Sequence, residues 1–274
     1  MTAIDLRRMA KAQGIRKPRV EIAPIVTTKA QANDLARLYM RTVRIWATGA
    51  NERIKPAYAR ALAEQKAMDG LILDRAGDVE IEIEAVNNEA VRSIFTFRGL
   101  LQSWAESVQA LHMRRFVSQL LYSTNVDLST QMYAGEVQET IEDVLARNMA
   151  LIRDVSDQAR GRISDIVFRG LQSRTPVKEV AAEIAKVVGL ARERALRIAS
   201  DQTVKLSASL DRQRQLQVGM TSFEWRHSGK LHYRPAHKAR SGKVFAWSSD
   251  VGRNDAPGMA PFCGCKAKGV LELD

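Results

Sequence analysis

Histidine and cysteine crowd into one short stretch near the C-terminal end of this 274-residue chain. His227, His232, His237, Cys263 and Cys265 fall within 39 residues and comprise three of the four histidines and both cysteines. Neutral imidazole and thiolate together are the ligand set that Zn²⁺ prefers, in a closed tetrahedral site where the metal is structural. His232-x4-His237 followed by Cys263-x-Cys265 supplies four such ligands, and His227 is an alternative to His232. Residues 220–274 are poor in long apolar faces, and a segment this small gains most from a metal staple. Two cysteines are too few for a disulfide framework, and one intervening residue brings them too close to bridge without strain. The remaining histidine, His112, lies in the helical stretch Trp104–Phe116 and reads as a core or surface residue.

Other chemistries fit this set less well. A metal-dependent nuclease needs oxygen ligands, an open coordination position and a general base near the scissile phosphate. Asp250 and Asp255 offer the oxygen atoms, so a metal-dependent DNA-binding protein or nuclease is the alternative reading. Thiolate ligands favour a closed structural site instead. No oriented Cys–His triad is marked, and no Gly-rich Walker loop is present, which excludes an ATP-driven motor. The chain therefore reads as non-enzymatic.

The elements that must position these residues are mostly helical. From Thr28 to Met68, Leu35, Leu38, Tyr39, Val43 and Trp46 recur at spacings of three and four, with a kink or helix–helix turn expected between Gly49 and Pro56. Residues 69–85 are acidic, and Val79–Glu84 alternates as a strand would. Helical flanks and the acidic first turn favour a helix there. Over 86–122 the spacing nominates Val91, Ile94, Phe95, Leu101, Trp104, Val108, Leu111 and Phe116 as core. Further helices are expected over 136–160 and 163–172, then one opening with Thr175 and Pro176 and ending near Gly189, and a long one from Leu190 to Gln217 closed by Gly219. Beyond Gly219 the aromatic, Gly- and Pro-bearing texture predicts short strands and ordered loops. The expected fold class is mainly α: a multi-helix body followed by a small C-terminal α+β module with short strands, stapled by zinc. Composition divides the chain into a basic arm (1–27), a helical body (28–160), a further helical part (161–219) and a β-rich Cys/His module (220–274).

Charge points to the partner. With 42 Lys+Arg against 31 Asp+Glu the net charge is +11, which suits a polyanion such as nucleic acid. Residues 1–20 hold Arg7, Arg8, Lys11, Arg16, Lys17 and Arg19 against Asp5 alone, which reads as an arm that orders on a partner. Arg234, Lys238 and Arg240 are the matching contact candidates in the terminal module. No run approaches the roughly 20 apolar residues needed to span a bilayer. The first twenty residues lack the apolar core of a secretory signal, so synthesis and assembly are expected in the cytoplasm.

Several spaced motifs occur in one order: the helical segment Ile198-Ala-Ser-Asp-Gln-Thr203, a strand bearing Trp225, the turn Arg234-Pro-Ala-His237, Gly242 before Phe245, Ala256-Pro-Gly258, and Cys263-Gly-Cys265. Across roughly residues 160–268 this pattern resembles the Mu F-like minor head proteins of tailed bacteriophages, also called phage head morphogenesis proteins. Members often carry an acidic residue where this chain has Lys230, and commonly Arg where it has His232, which makes His232 a candidate extra ligand. The resemblance implies a low-copy virion component at the capsid interior or portal vertex, made in the host cytoplasm and acting in head assembly and DNA packaging or delivery. The partners implied are the portal protein and the major capsid protein. Non-specific contact with double-stranded DNA agrees with the charge, and no membrane is involved.

Overall fold

The computed structural model describes residues 4–67, 76–132 and 137–273. Expectations for residues 68–75, the end of the first helical stretch and the start of the acidic one, lie outside the described residues. The helices are α1 (Leu6–Ala12), α2 (Lys29–Gly49), α3 (Lys55–Ala67), α4 (Ala76–Thr124), α5 (Gln138–Gln172) and α6 (Val177–Gln217), with two short ones, α7 (Pro235–Ala239) and α8 (Asp250–Asn254). Strands β1 (Arg19–Ile22), β2 (Ser222–Arg226), β3 (Val244–Ala246) and β4 (Lys266–Glu272) form one antiparallel sheet in the order β1-β4-β2-β3. This is the mainly α chain with a small C-terminal strand module that the periodicity predicts.

Contacts group the chain into two compact units, Met1–Ala32 with Gln102–Val144 and Asp201–Asp274, and Asn33–Leu101 with Leu145–Ser200. Each is drawn from separated segments, whereas the divisions at 27, 160 and 219 follow composition along the chain.

In the second unit the aromatics of α2 are core, as their spacing predicts. Tyr39 and Trp46 are buried, and their polar ends meet α5: Tyr39 OH donates to Asn148 Oδ1 at 2.9 Å, and Trp46 Nε1 donates to Ser156 Oγ at 2.9 Å. Residues 79–84 are helical. Val79 and Ile83, four apart, are buried, while Ile81 between them is exposed, so the apparent alternation is a helical face seen at the wrong period. The same face of α4 continues through Val86, Ala90, Ile94, Phe97 and Leu101. Val91 and Phe95, nominated for the core, sit one residue off it and are exposed, Phe95 by 71%.

At neither of two glycines does the helical path turn back. No helix–helix turn follows Gly49. Instead α2 widens into one π-helical segment, Ala50–Ile54, and continues as α3. A Cβ on Gly49 would lie 2.4 Å from Val86 Cγ2, so the glycine admits α4 rather than ending α2. Gly189 does not end a helix either, because α6 runs through it. Val180, Ile184, Val187, Ala191, Ala195 and Ile198 keep one buried stripe in register across it, which outweighs the roughly 1 kcal/mol that an interior glycine costs relative to alanine. The turn at Ser173–Arg174 is present, with Arg174 at φ +53° and the Glu179 and Val180 N–H groups donating to Pro176 O. Gly219, at φ +78°, closes α6 as predicted.

The N-terminal segment departs most from its reading as a free arm. β1 pairs with β4 in the register Val20↔Leu271 and Ile22↔Gly269. Leu6 and Ala10 on α1, and Val20 and Ile22 on β1, join one core with Phe116, Leu120, Leu128, Leu271 and Leu273. Spacings of four and two thus hide two small apolar faces among the basic residues.

Alanine at the two glycines should act with opposite sign. Gly189→Ala faces open space and should raise stability by about 0.5–1 kcal/mol. Gly49→Ala should lower it, because Val86 must move. Thermal unfolding of the two variants reads both signs. Ile22→Ala should cost about 2–4 kcal/mol in denaturant unfolding, because a buried aliphatic at the edge strand is removed.

Candidate metal centre

The site is assembled in the first unit from α7, α8, the loop before β4, and α6 beneath that loop. Arg234 is extended before Pro235, as a pre-proline residue must be, and the proline opens α7 with its φ already helical. That places His237 and Arg240 three apart, on one side of the turn. Ser249 caps α8 by accepting the Gly252 N–H at 3.1 Å, and the helix ends at Asp255. Gly252 is needed there, since a Cβ would lie 2.6 Å from the carbonyl oxygens of both Ala246 and Trp247.

The cysteine loop is gripped on three sides. Phe262 adopts φ +56°, a left-handed conformation uncommon for a bulky residue. Its N–H donates to Asp201 Oδ1 of α6 at 2.6 Å, and its carbonyl accepts from Lys230 Nζ at 3.0 Å. Arg234 donates to Pro261 O at 3.1 Å. Between the cysteines, a Cβ on Gly264 would lie 2.9 Å from Lys230 Cε and 3.0 Å from Ser228 Cβ, so the glycine lets this neighbouring loop close over the site.

These elements bring His237, Cys263 and Cys265 together, all buried, with their ligand atoms within 4.8 Å of one another. Cys263 Sγ lies 3.4 Å and Cys265 Sγ 3.9 Å from His237 Nδ1. Trp225 packs edge-on to the imidazole at 4.9 Å, and both cysteines belong to a small core with Phe223, Trp225, Trp247, Ala256 and Ala267. The hydrogen bond between the thiols lowers the Cys263 pKa and raises that of Cys265, so the pair favours one thiolate and one thiol.

On the far side of the ring, Asp255 Oδ2 and Oδ1 lie 3.2 and 3.3 Å from His237 Nε2, and Arg240 donates to Asp255 Oδ2 at 2.6 Å. Burial works against the ionised Asp255, but Arg240 and His237 outweigh it and hold the carboxyl below its ordinary pKa. An ionised carboxylate only accepts, so it assigns the ring proton to Nε2. The other ring nitrogen, Nδ1, faces the two sulfurs.

Of the four ligands expected from spacing, three converge. His232 is exposed and lies outside the group. His227 is also outside it: its Nδ1 accepts the Gly229 N–H at 3.1 Å, and its ring packs against Tyr233. Asp250 is exposed and accepts from Asn254 at 2.6 Å, and Asp255 is committed to His237 and Arg240, so neither carboxylate joins the group as an oxygen ligand. His112, outside the ligand set, is a buried residue 3.0 Å from Asp211. Two residues that hold the site do not announce that role in the sequence. Asp255 stands out there only as a nuclease candidate, and Asp201 only as part of a helix motif. Their proximity to the Cys/His block is the one available signal.

The contact candidates also divide. Arg7, Arg8, Lys11, Arg16, Lys17, Arg234 and Lys238 are exposed. Arg19 is engaged by Glu21 and Glu224, at 2.7 and 3.2 Å, and Arg240 is built into the site through Asp255 and over the Trp225 ring. Among the described residues no helix is long and apolar enough to cross a membrane.

Comparison with known proteins finds a likeness that covers this site. The chain is 26% identical over 185 residues to an uncharacterized protein of Haemophilus influenzae, covering 67% of this chain and 39% of that relative's length. No solved structure matches. Residues 161–268, which span the end of α5, all of α6 and the whole Cys/His site, match the family described as Phage Mu protein F like protein.

Proposed function

We propose that this protein is a non-enzymatic phage head morphogenesis component, which docks on other head proteins and lies against the packaged DNA. The family match over residues 161–268 carries this reading, because it takes in both the long helix α6 and the terminal module. Head assembly requires contact with other capsid components, and the portal and major capsid proteins are the partners we assign. The virion, at the capsid interior or portal vertex, is the location that follows.

Electrostatics support the DNA contact. Lys230, Arg234 and Lys238 are oriented by uncharged oxygens, the carbonyls of Phe262 and Pro261 and the hydroxyl of Tyr233, which leaves their charge in place. The exposed cations of residues 7–17 add to that surplus. Arginine and lysine on phosphate give sequence-independent binding driven by counterion release. A nuclease finds less support, because the clustered ligands are two sulfurs and one nitrogen, and both candidate aspartates are engaged elsewhere.

Duplex binding measured by fluorescence anisotropy across a salt series tests the DNA contact. Affinity should fall steeply with salt, and replacing Arg7, Arg8 and Lys11 by Gln should reduce the slope by about 0.9 for each phosphate that is no longer neutralised. A flat salt dependence would mark a pure protein connector, and nicking of plasmid in Mg²⁺ or Mn²⁺ would mark a nuclease. Mass spectrometry of purified virions tests the assignment to the head: the chain should be present at low copy, and its absence from the particle would overturn the reading.

A further inference from the structure

We propose that His237, Cys263 and Cys265 form a zinc site with three protein ligands, in which Asp255 fixes the imidazole to coordinate through Nδ1 and Arg240 holds Asp255. Zinc binding here does not depend on a role in head assembly.

The distances suit the ion. With Zn–S near 2.3 Å and Zn–N near 2.0–2.1 Å, tetrahedral angles place a sulfur and a nitrogen ligand about 3.6 Å apart. The two observed separations, 3.4 and 3.9 Å from Nδ1 to the sulfurs, bracket that value. One imidazole and two thiolates select zinc over magnesium or calcium, which take oxygen.

The ring is already presented as a ligand. A metal-binding histidine commonly donates its other N–H to a carboxylate, which sets the tautomer and raises the basicity of the ligand nitrogen. Asp255 stands at that position, and Arg240, one helical turn beyond His237, is within 2.6 Å of the same carboxylate. The arrangement needs three separate elements: α7 and its C-terminal cap for His237 and Arg240, the C-terminal cap of α8 for Asp255, and the Phe262 turn for the cysteines.

The ligand count is the second half of the proposal. Among the described residues no fourth His, Cys, Asp or Glu joins the group. His232 is exposed and outside it, so the four-ligand staple expected from spacing gives way to a site whose fourth position is taken from outside the protein, by water or another small donor.

The test uses the full-length chain. Elemental analysis after desalting should find one zinc per chain. Cobalt(II) added to chelator-stripped protein should give a thiolate-to-cobalt charge-transfer band and the visible absorption of a four-coordinate ion. Cys263→Ser, Cys265→Ser and His237→Ala should abolish the band, while His232→Ala and His227→Ala should retain it. Asp255→Asn should keep the ligands but weaken zinc affinity by about 10- to 100-fold. Circular dichroism should show unchanged helical content in His232→Ala and Asp255→Asn, so these two variants remain decisive even where a ligand variant unfolds the module. Absence of zinc and of the cobalt band in the wild-type chain would overturn the site, as would a mass showing Cys263 joined to Cys265. Loss of metal in His232→Ala would overturn the ligand set, and unchanged affinity in Asp255→Asn would remove Asp255 from its positioning role.

Discussion

Asp201 accepts the backbone N–H of Phe262 at 2.6 Å, and the geometry of the terminal module depends on that bond. Phe262 sits at a left-handed φ that a bulky side chain rarely adopts, so the turn before Cys263 must be held from outside itself. Asp201 holds it from below, while Lys230 and Arg234 take the two neighbouring carbonyls. A second α6 side chain does comparable work further along. Gln215 donates to Ala267 O and accepts from Trp247 Nε1, both at 3.2 Å. Strands of three to seven residues bury too little apolar surface to be stable by themselves, and α6 gives the module the polar partners it lacks.

The sheet is completed by residues distant in the chain. β1 covers the outer edge of β4 with Val20 and Ile22 facing the core, and β4 is thereby paired on both sides. The sheet edge thereby passes to β1, a strand of only four residues that carries Arg19 and Glu21, and a short charged edge resists wrong pairing. The same docking spends part of the positive charge. Arg19 meets Glu21 and Glu224, and Lys268 meets Glu21, whereas the cations of residues 7–17 stay exposed. The surplus of +11 is thus sorted by folding into cations paired within the structure and cations left exposed at its surface.

Much of this is legible along the chain, and the failures share a cause. Helical spacing identifies Tyr39, Val43 and Trp46 as core, because a face buried against one neighbour repeats at 3.6 residues whichever neighbour it is. It misjudges Val91 and Phe95, because which of two adjacent apolar stripes is covered depends on where the packing helix lies. By spacing alone, Gly49 and Gly189 both look like breaks. One is a close approach to Val86 and the other an open position in a continuous helix, a difference that is a property of the neighbour and not of the glycine. The N-terminal segment resembles a free arm because its basic residues are interspersed among the apolar ones that dock it.

At the candidate site the division is sharpest. Residue types alone make zinc the ion to expect wherever imidazole and thiolate meet, since coordination preference is a property of the ligand atoms. They also carry the resemblance that the match over residues 161–268 bears out. Only the tertiary structure decides which histidine joins the cysteines. Spacing offers His237 and His232 together, but α7 turns His237 inward beneath Trp225 while His232 stays in the exposed loop before it. Only the fold, too, could bring Asp255 and Arg240 to the opposite edge of the ring. The contact between Asp255 and the ring spans 18 residues of sequence and 3.2 Å of space, and no periodicity encodes a hydrogen bond of that kind.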